Sequence, residues 1–225
     1  MRINKYIAES GACSRRQADK LIEKKRGVAC ELGSIVEPGD NVCIDGNPID
    51  TKKKNVYIAL NKPVGIECTT DSRVTENIVD FANHPERIFP IGRLDKESEG
   101  LILLTNDGDI VNKILRAENH HEKEYIVTVN RLITPAFVKG MSEGVKILGI
   151  KTKPCKVYPI NDKTFRIILT QGLNRQIRRM CENFDYKVVK LKRIRIMNIR
   201  LGRLKNGHWR NVTKSELNEL MSMLK

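Results

Sequence analysis

Three segments of the chain carry side chains that could do chemistry together. The first is Gly92-Arg93-Leu94-Asp95-Lys96-Glu97-Ser98-Glu99-Gly100, where acids crowd between two glycines. A carboxylate in such a turn can attack carbon or take a proton if a cleft and a nearby cation keep it ionised. The second, Gly172-Leu173-Asn174-Arg175-Gln176-Ile177-Arg178-Arg179-Met180, supplies the cations. On a helix, Arg175 and Arg178 or Arg179 lie on neighbouring faces while Ile177 and Met180 turn inward. The third is Tyr125 in Glu122-Lys123-Glu124-Tyr125-Ile126-Val127, an aromatic ring that can stack on a flipped nucleobase. Taken singly, each also fits a plainer role: a solvated turn, a surface arginine face, a core tyrosine.

Other chemistries lack their residues. There is no glycine-rich phosphate loop, no H-E-x-x-H and no G-x-S-x-G. His120 and His121 are adjacent and so face different ways, which makes a metal site there a poor reading. No metal is expected. Asp95, Glu97 and Glu99 fit the acids of a glycoside hydrolase, but the strongly basic segment that follows does not.

The elements that must position these residues are readable in outline. Ile3, Tyr6 and Ile7 share a helical face, and Gly11 can end that helix in the left-handed region. Ser14-Arg15-Arg16-Gln17 is a capping-box pattern, which starts a second helix and exposes Arg15, Arg16, Lys20 and Lys24. Pro38-Gly39-Asp40 and Asp45-Gly46 predict short strands and tight turns. Thr51 to Asn55 reads as a linker. Beyond it, strands are expected over Val56–Leu60, Gly100–Thr105, Glu124–Asn130, Thr164–Thr170 and Lys187–Met197, the last with one cationic face. A helix after Asp107-Gly108-Asp109 turns Ile110, Val111, Ile114 and Leu115 inward, and the spacing predicts another over Asn174–Phe184. Thr213-Lys214-Ser215-Glu216 is a second capping box, opening a terminal helix. Strands not separated by regular crossover helices predict an α+β fold with a mixed, mostly antiparallel central sheet and flanking helices.

Composition narrows the partners. Of 225 residues, 41 are Lys or Arg and 27 Asp or Glu, a net charge of +14. Residues 56–164 are neutral by themselves, whereas residues 165–210 hold 13 basic and 2 acidic side chains. That basic stretch carries regular apolar spacing, so it is expected to fold and to bind phosphates by counterion release. The longest aliphatic run, Leu101 to Leu104, is far short of a membrane span, and the N-terminus has no apolar signal core, so a cytoplasmic protein with no membrane partner is expected. Six cysteines without a C-x-x-C pair fit reduced thiols rather than zinc or disulfides.

The same residues resemble a family. Gly92-Arg93-Leu94-Asp95-x-x-Ser98-x-Gly100-Leu101-x-Leu103-Leu104-Thr105-Asn106-Asp107-Gly108 is similar to the signature of the RsuA-like pseudouridine synthases, which modify ribosomal RNA. Leu60-Asn61-Lys62-Pro63-Val64-Gly65, Lys123-Glu124-Tyr125 and Gly172 to Met180 match its other blocks in order. Residues 1–50 resemble an S4-type RNA-binding domain in Arg2-x-Asn4-Lys5-Tyr6-Ile7 and Cys13-Ser14-Arg15-Arg16-x-Ala18-Asp19. Lys25 to Gly33 departs from it, being shorter than the usual strand-turn-strand and lacking a V-N-G turn. Phe89-Pro90-Ile91-Gly92 and His121-Glu122-Lys123-Glu124-Tyr125 resemble most the RluF type, which acts on large-subunit rRNA.

The resemblance implies an S4-like module over 1–50, a linker over 51–55 and a catalytic domain over 56–225. It implies Asp95 as the catalytic residue, Tyr125 as the ring stacked on the target base and Arg178 as the partner of the aspartate. Arg93 falls where relatives have a basic residue that helps displace the base. Arg15, Arg16, Lys5, Lys62, Arg175 and Arg179 are the further expected RNA contacts. No cofactor is implied, and a monomer acting on ribosomal RNA of the large subunit is expected, with tRNA as a second candidate substrate. The competing expectation is a non-catalytic rRNA-binding or ribosome-assembly protein using the same basic surface.

Overall fold

The computed structural model describes residues 1–24, 31–50, 54–115 and 120–224. Most of the 25–33 stretch and residues 51–53 of the expected linker lie outside the described residues. Helices α1 (Ile3–Glu9) and α2 (Arg15–Glu23) open the chain, turning at Gly11, whose φ is +82°. The Ser14 hydroxyl accepts from the Gln17 amide, and the Gln17 side chain accepts from the Ser14 amide, so the capping box forms as its pattern predicts. Strands β1 (Cys43–Ile44) and β2 (Asn47–Pro48) pair across Asp45 and Gly46, both with positive φ, as a two-residue hairpin of this hand requires. Ile3, Ile7, Ala18, Ile22, Val36 and Val42 bury one another in a small core of their own.

The rest of the chain builds a nine-stranded sheet. Its strands are β3 (Tyr57–Lys62), β4 (Phe89–Pro90), β5 (Glu99–Thr105), β6 (Lys123–Val129), β9 (Lys156–Asn161), β10 (Thr164–Leu169), β11 (Val188–Ile196), β12 (Ile199–Arg200) and β13 (Trp209–Asn211). The hairpin of β7 (Lys146–Ile147) and β8 (Ile150–Lys151) stands apart. The sheet order is β13-β3-β5-β11-β6-β10-β9, with β4 on β5 and β12 on β11. Every pairing is antiparallel except β5 with β11, so the sheet is mixed as expected.

Helices cover the two faces unequally. On the first face, Leu60, Ile102, Val127, Phe165 and Leu191 pack with α3 (Ile78–Ala82), α5 (Pro135–Ser142) and α6 (Gln176–Glu182). On the second, Ala59, Leu101, Leu103 and Ile196 pack with α4 (Gly108–Leu115) and α7 (Lys214–Ser222), whose core takes in β3, β5 and the end of β11 but no residue of β6, β10 or β9. Among the described residues, no helix is long and apolar enough to cross a membrane.

Three local expectations need correction. Helix α6 starts at Gln176 rather than Asn174, because Arg175 sits at φ +49° and cannot belong to a right-handed helix. Leu115 is exposed, unlike Ile110 and Ile114, because it lies at the last turn of α4, over Gly92. Strand β11 does not present a single cationic face. Lys190 and Lys192 point to the second face, while Arg193 follows Leu191 onto the first and is 3% exposed.

Candidate active site

Asp95 lies in the turn between β4 and β5. The Ser98 amide donates to the Asp95 carbonyl at 3.0 Å, closing the turn, and the buried Leu94 side chain anchors it in the core. Glycine is required at both ends. At Gly92, where φ is +77°, a Cβ would lie 2.8 Å from Leu115 Cδ2. At Gly100, a Cβ would lie 2.3 Å from the Arg193 carbonyl oxygen, so only glycine lets β5 approach β11 at their parallel junction.

Beneath this turn lies Lys62, fully buried. Its ammonium donates to the carbonyls of Pro63 (2.8 Å), Ile66 (2.8 Å) and Lys96 (3.4 Å), stapling the 63–66 loop to the Asp95 turn. Burial pushes its pKa down, and the negative charge of Asp95 works against that shift. The expectation that Lys62 touches RNA is therefore corrected: a cation with no exposed surface and three backbone acceptors holds the loop instead.

Arg178 arrives from the first turn of α6 and is gripped by neutral acceptors. Its Nη2 donates to Ser98 Oγ at 3.1 Å and to the Glu97 carbonyl at 3.4 Å, and its Nη1 donates to the Val188 carbonyl at 3.4 Å. That grip leaves Nε buried without a hydrogen-bond acceptor, 3.8 Å from both Asp95 Oδ2 and Glu97 Oε2. The separation is an ion pair but too long for a hydrogen bond. Catalytic contacts are commonly this loose before substrate closes the site. The Asp95 side chain keeps 32% of its surface open, enough for a substrate to reach it.

Glu97 is held elsewhere. Arg175 Nη1 lies 2.8 Å from its Oε2, and that hydrogen bond keeps the Glu97 carboxyl below the usual carboxylate range. Arg179 donates to the Asn174 carbonyl and side-chain oxygen, both at 3.1 Å, so it fastens the loop before α6.

Tyr125 on β6 is 9% exposed and joins this region through Arg193. The Arg193 guanidinium lies 6.0 Å from the Tyr125 ring centre, donates through Nε to the Leu101 carbonyl (2.6 Å) and through Nη1 to the Arg93 carbonyl (3.5 Å). Its Nη2 is buried without a partner. The Arg93 side chain itself is exposed beside the turn.

Thus the structure brings Asp95, Arg178, Arg175 and Arg93 into one region, with Tyr125 linked to it by Arg193. Arg15 and Arg16 are exposed on α2, and a Cβ at Gly108, the first residue of α4, would lie 3.6 Å from Arg15 Nη2. Lys5 is held between Glu9 (3.4 Å) and Asp109 (2.7 Å), tying α1 to α4. Arg193 is a site residue that sequence reasoning missed, and Ser98 and Glu97, though named in the Asp95 segment, were not expected to meet Arg178. For Arg193 a signal existed, since counting by twos from the apolar Leu191 places it on the inward face.

Comparison with known proteins places this geometry in context. The family model for RNA pseudouridylate synthase matches residues 56–183. The chain is 56% identical to the dual-specificity RNA pseudouridine synthase RluF of Escherichia coli (strain K12) over 230 aligned positions, covering all of this chain and 79% of that protein. It is 33% identical to the ribosomal large subunit pseudouridine synthase B of Bacillus subtilis (strain 168), covering 99% of this chain and 96% of that one. Among solved structures, a crystal structure of a pseudouridylate synthase superposes with a TM-score of 0.73 at 30% identity, covering 98% of this chain and 99% of that chain.

Proposed function

The chain belongs to the RNA pseudouridylate synthase family, and from that premise we propose that it isomerises a uridine in ribosomal RNA of the large subunit, with Asp95 as its catalytic carboxylate. The observation that carries the assignment of the site is the half-open Asp95 carboxylate facing the buried, acceptor-free Nε of Arg178.

In this reaction the C1′–N1 bond breaks, the base turns, and C1′ bonds to C5. The C5 hydrogen leaves to solvent and N1 gains a proton, so atoms balance without a cofactor. Inside a stacked helix neither carbon is accessible, so the nucleotide must leave the stack. Arg93, exposed beside the turn, fills the vacated space, and Tyr125 stacks on the extruded base. Asp95 then attacks C1′ or removes a ribose proton. Arg178 supplies the facing charge, and its backbone grip sets the direction from which the carboxylate is held.

Residues 1–50 act as an S4-like RNA-binding module, joined by residues 51–55 to a catalytic domain over 56–225. Its separate small core supports that division, and the exposed Arg15 and Arg16 face outward for phosphate contact. A tethered module of this kind raises the effective concentration of RNA at Asp95.

Tritium release from RNA carrying 5-tritiated uridine tests the reading, because only isomerisation frees that atom. Release from large-subunit rRNA is expected. Release from tRNA alone would replace the substrate, and binding without release would make the chain an rRNA-binding or assembly protein. Mapping pseudouridines in cells with and without the gene then locates the uridine.

A further inference from the structure

The second face of the sheet offers a site that this reaction does not use. Helices α4 and α7 cover it over β3, β5 and the Ile194–Ile196 end of β11, but among the described residues no side chain of β6, β10 or β9 joins their core. Where that cover ends, between β11, β12 and β6, lies a cleft of about 560 Å³ lined by Ile126, Ile194 and Leu201 together with Lys190, Lys192 and Arg200. No acid lines it. Lys190 is paired with Glu99 at 3.2 Å, whereas Lys192 and Arg200 have no ion-pair partner among the described residues. Further along the same face, the Arg166 guanidinium lies 4.6 Å from the centre of the Tyr158 ring, and Tyr158 is 42% exposed.

We propose that this cleft binds a single-stranded segment of the substrate RNA, remote from the target uridine, with phosphates on Lys192 and Arg200 and a base on the apolar floor. Unpaired cations beside an apolar floor and an exposed ring are what single-stranded RNA recognition needs: sequence-blind attraction for the backbone and flat surfaces for bases. An acidic protein segment would satisfy the charges but not the neighbouring stacking platform. Parity separates this site from Asp95. Lys190 and Lys192 point away from the face to which Leu191 and Arg193 contribute, so the cleft and the reacting base lie on opposite sides of the sheet. Long RNA can engage both by passing around the sheet, and a short stem-loop only one.

The proposal rests on the reading that RNA is isomerised at Asp95, and the test keeps the two apart. Tritium release is measured for the wild-type protein and the Lys192→Glu/Arg200→Glu variant on a long large-subunit rRNA fragment and on a short stem-loop with the same target uridine. The variant should raise KM on the long RNA by about tenfold or more and flatten the log–log salt dependence of binding by about 1.4, the loss of two single-strand phosphate contacts. Its kcat on both RNAs, and its KM on the stem-loop, should stay within about twofold of wild type. An unchanged KM and salt slope on the long RNA would overturn the proposal, and so would an equal loss on both RNAs. Wild-type protein without release from either RNA would instead overturn the function at Asp95.

Acetylation footprinting of the unaltered protein gives a second readout. Lys192 should be shielded by the long RNA and not by the stem-loop. Shielding that appears with protein concentration alone would identify a second copy as the occupant and defeat the proposal.

Discussion

The two faces of the sheet use the same kind of side chain in opposite ways. On the Asp95 face, Arg178 and Arg193 are buried and held chiefly by neutral acceptors, backbone carbonyls and one serine hydroxyl. On the other face, Arg195 is held by carboxylates: Glu124 at 2.7 Å and Glu122 at 2.8 Å, with Arg166 3.5 Å from Glu124 and Lys156 3.7 Å from Glu122. A cation fixed by dipoles can still lend its charge to a carboxylate that faces it, as Arg178 does to Asp95 at 3.8 Å, whereas one fixed by carboxylates has already given it up. The first arrangement is costly to build and suits catalysis. The second stabilises strands and leaves binding to whichever cations stay outside it.

The largest effect that would break this contrast is at Asp95. Asp95→Asn keeps the shape and removes the charge, and turnover should fall by about 10⁴-fold, in the range of losing an essential catalytic group. RNA affinity should stay within about twofold by filter binding. Normal turnover in this variant would remove Asp95 from the reaction.

Arg178→Lys comes next. Lysine keeps a positive charge but cannot reach Ser98, Glu97 and Val188 at once, so kcat should drop by about 10²-fold. Recovery to near wild-type rates would mean that charge alone matters and that the neutral grip is incidental.

On the opposite face, Glu124→Gln should do the reverse, leaving kcat intact while lowering stability by about 2–3 kcal/mol in urea unfolding. Glu124 is 5% exposed and its loss leaves Arg195 half paired. A kcat loss as large as that of Arg178→Lys would erase the distinction between the faces.

Arg166→Ala tests the exposed margin of the same lattice and should cost less than about 1 kcal/mol, the usual worth of an exposed ion pair and ring contact. The smallest effect concerns pH. The Arg195 hydrogen bond holds the Glu122 carboxyl below its ordinary range. A folded-state pKa below the unfolded one contributes stability that is present above about pH 4.3 and lost as pH falls through the folded value. Glu122→Gln should slightly flatten the acid limb of a urea-unfolding series, and an unchanged limb would show that the exposed pair contributes nothing measurable.

How much could be read in advance follows from the range of each interaction. Both capping boxes, the Asp45-Gly46 hairpin and the glycine turn at Gly11 depend on neighbours within a few residues, and all formed as their patterns predict. Helix α5 was missed because Gly140 interrupts its periodicity. That glycine is kept by a distant group, since a Cβ there would lie 2.5 Å from the Phe184 ring. Strand β9 was missed because its outer residues are exposed and Pro159 lies within it, which its place at the sheet edge permits. At the site, Asp95 and Arg178 were named in advance because their blocks resemble a known signature, whereas their approach spans many intervening residues.

Amino-acid order alone determined the local turns, the caps and the excess of charge in residues 165–210. Only the folded chain decided which cations are buried and which are free. Lysine carries no mark in the sequence that it will be enclosed, and Lys62 is enclosed because two loops close over it and turn three carbonyls toward its ammonium. Irregular strand register, between Val188 and Lys190 and again between Arg193 and Arg195, then sets which side each basic residue of β11 faces. Side-chain direction in a strand changes with every residue, so a single shift reassigns a charge from one face to the other, and only long-range pairing settles where such shifts fall.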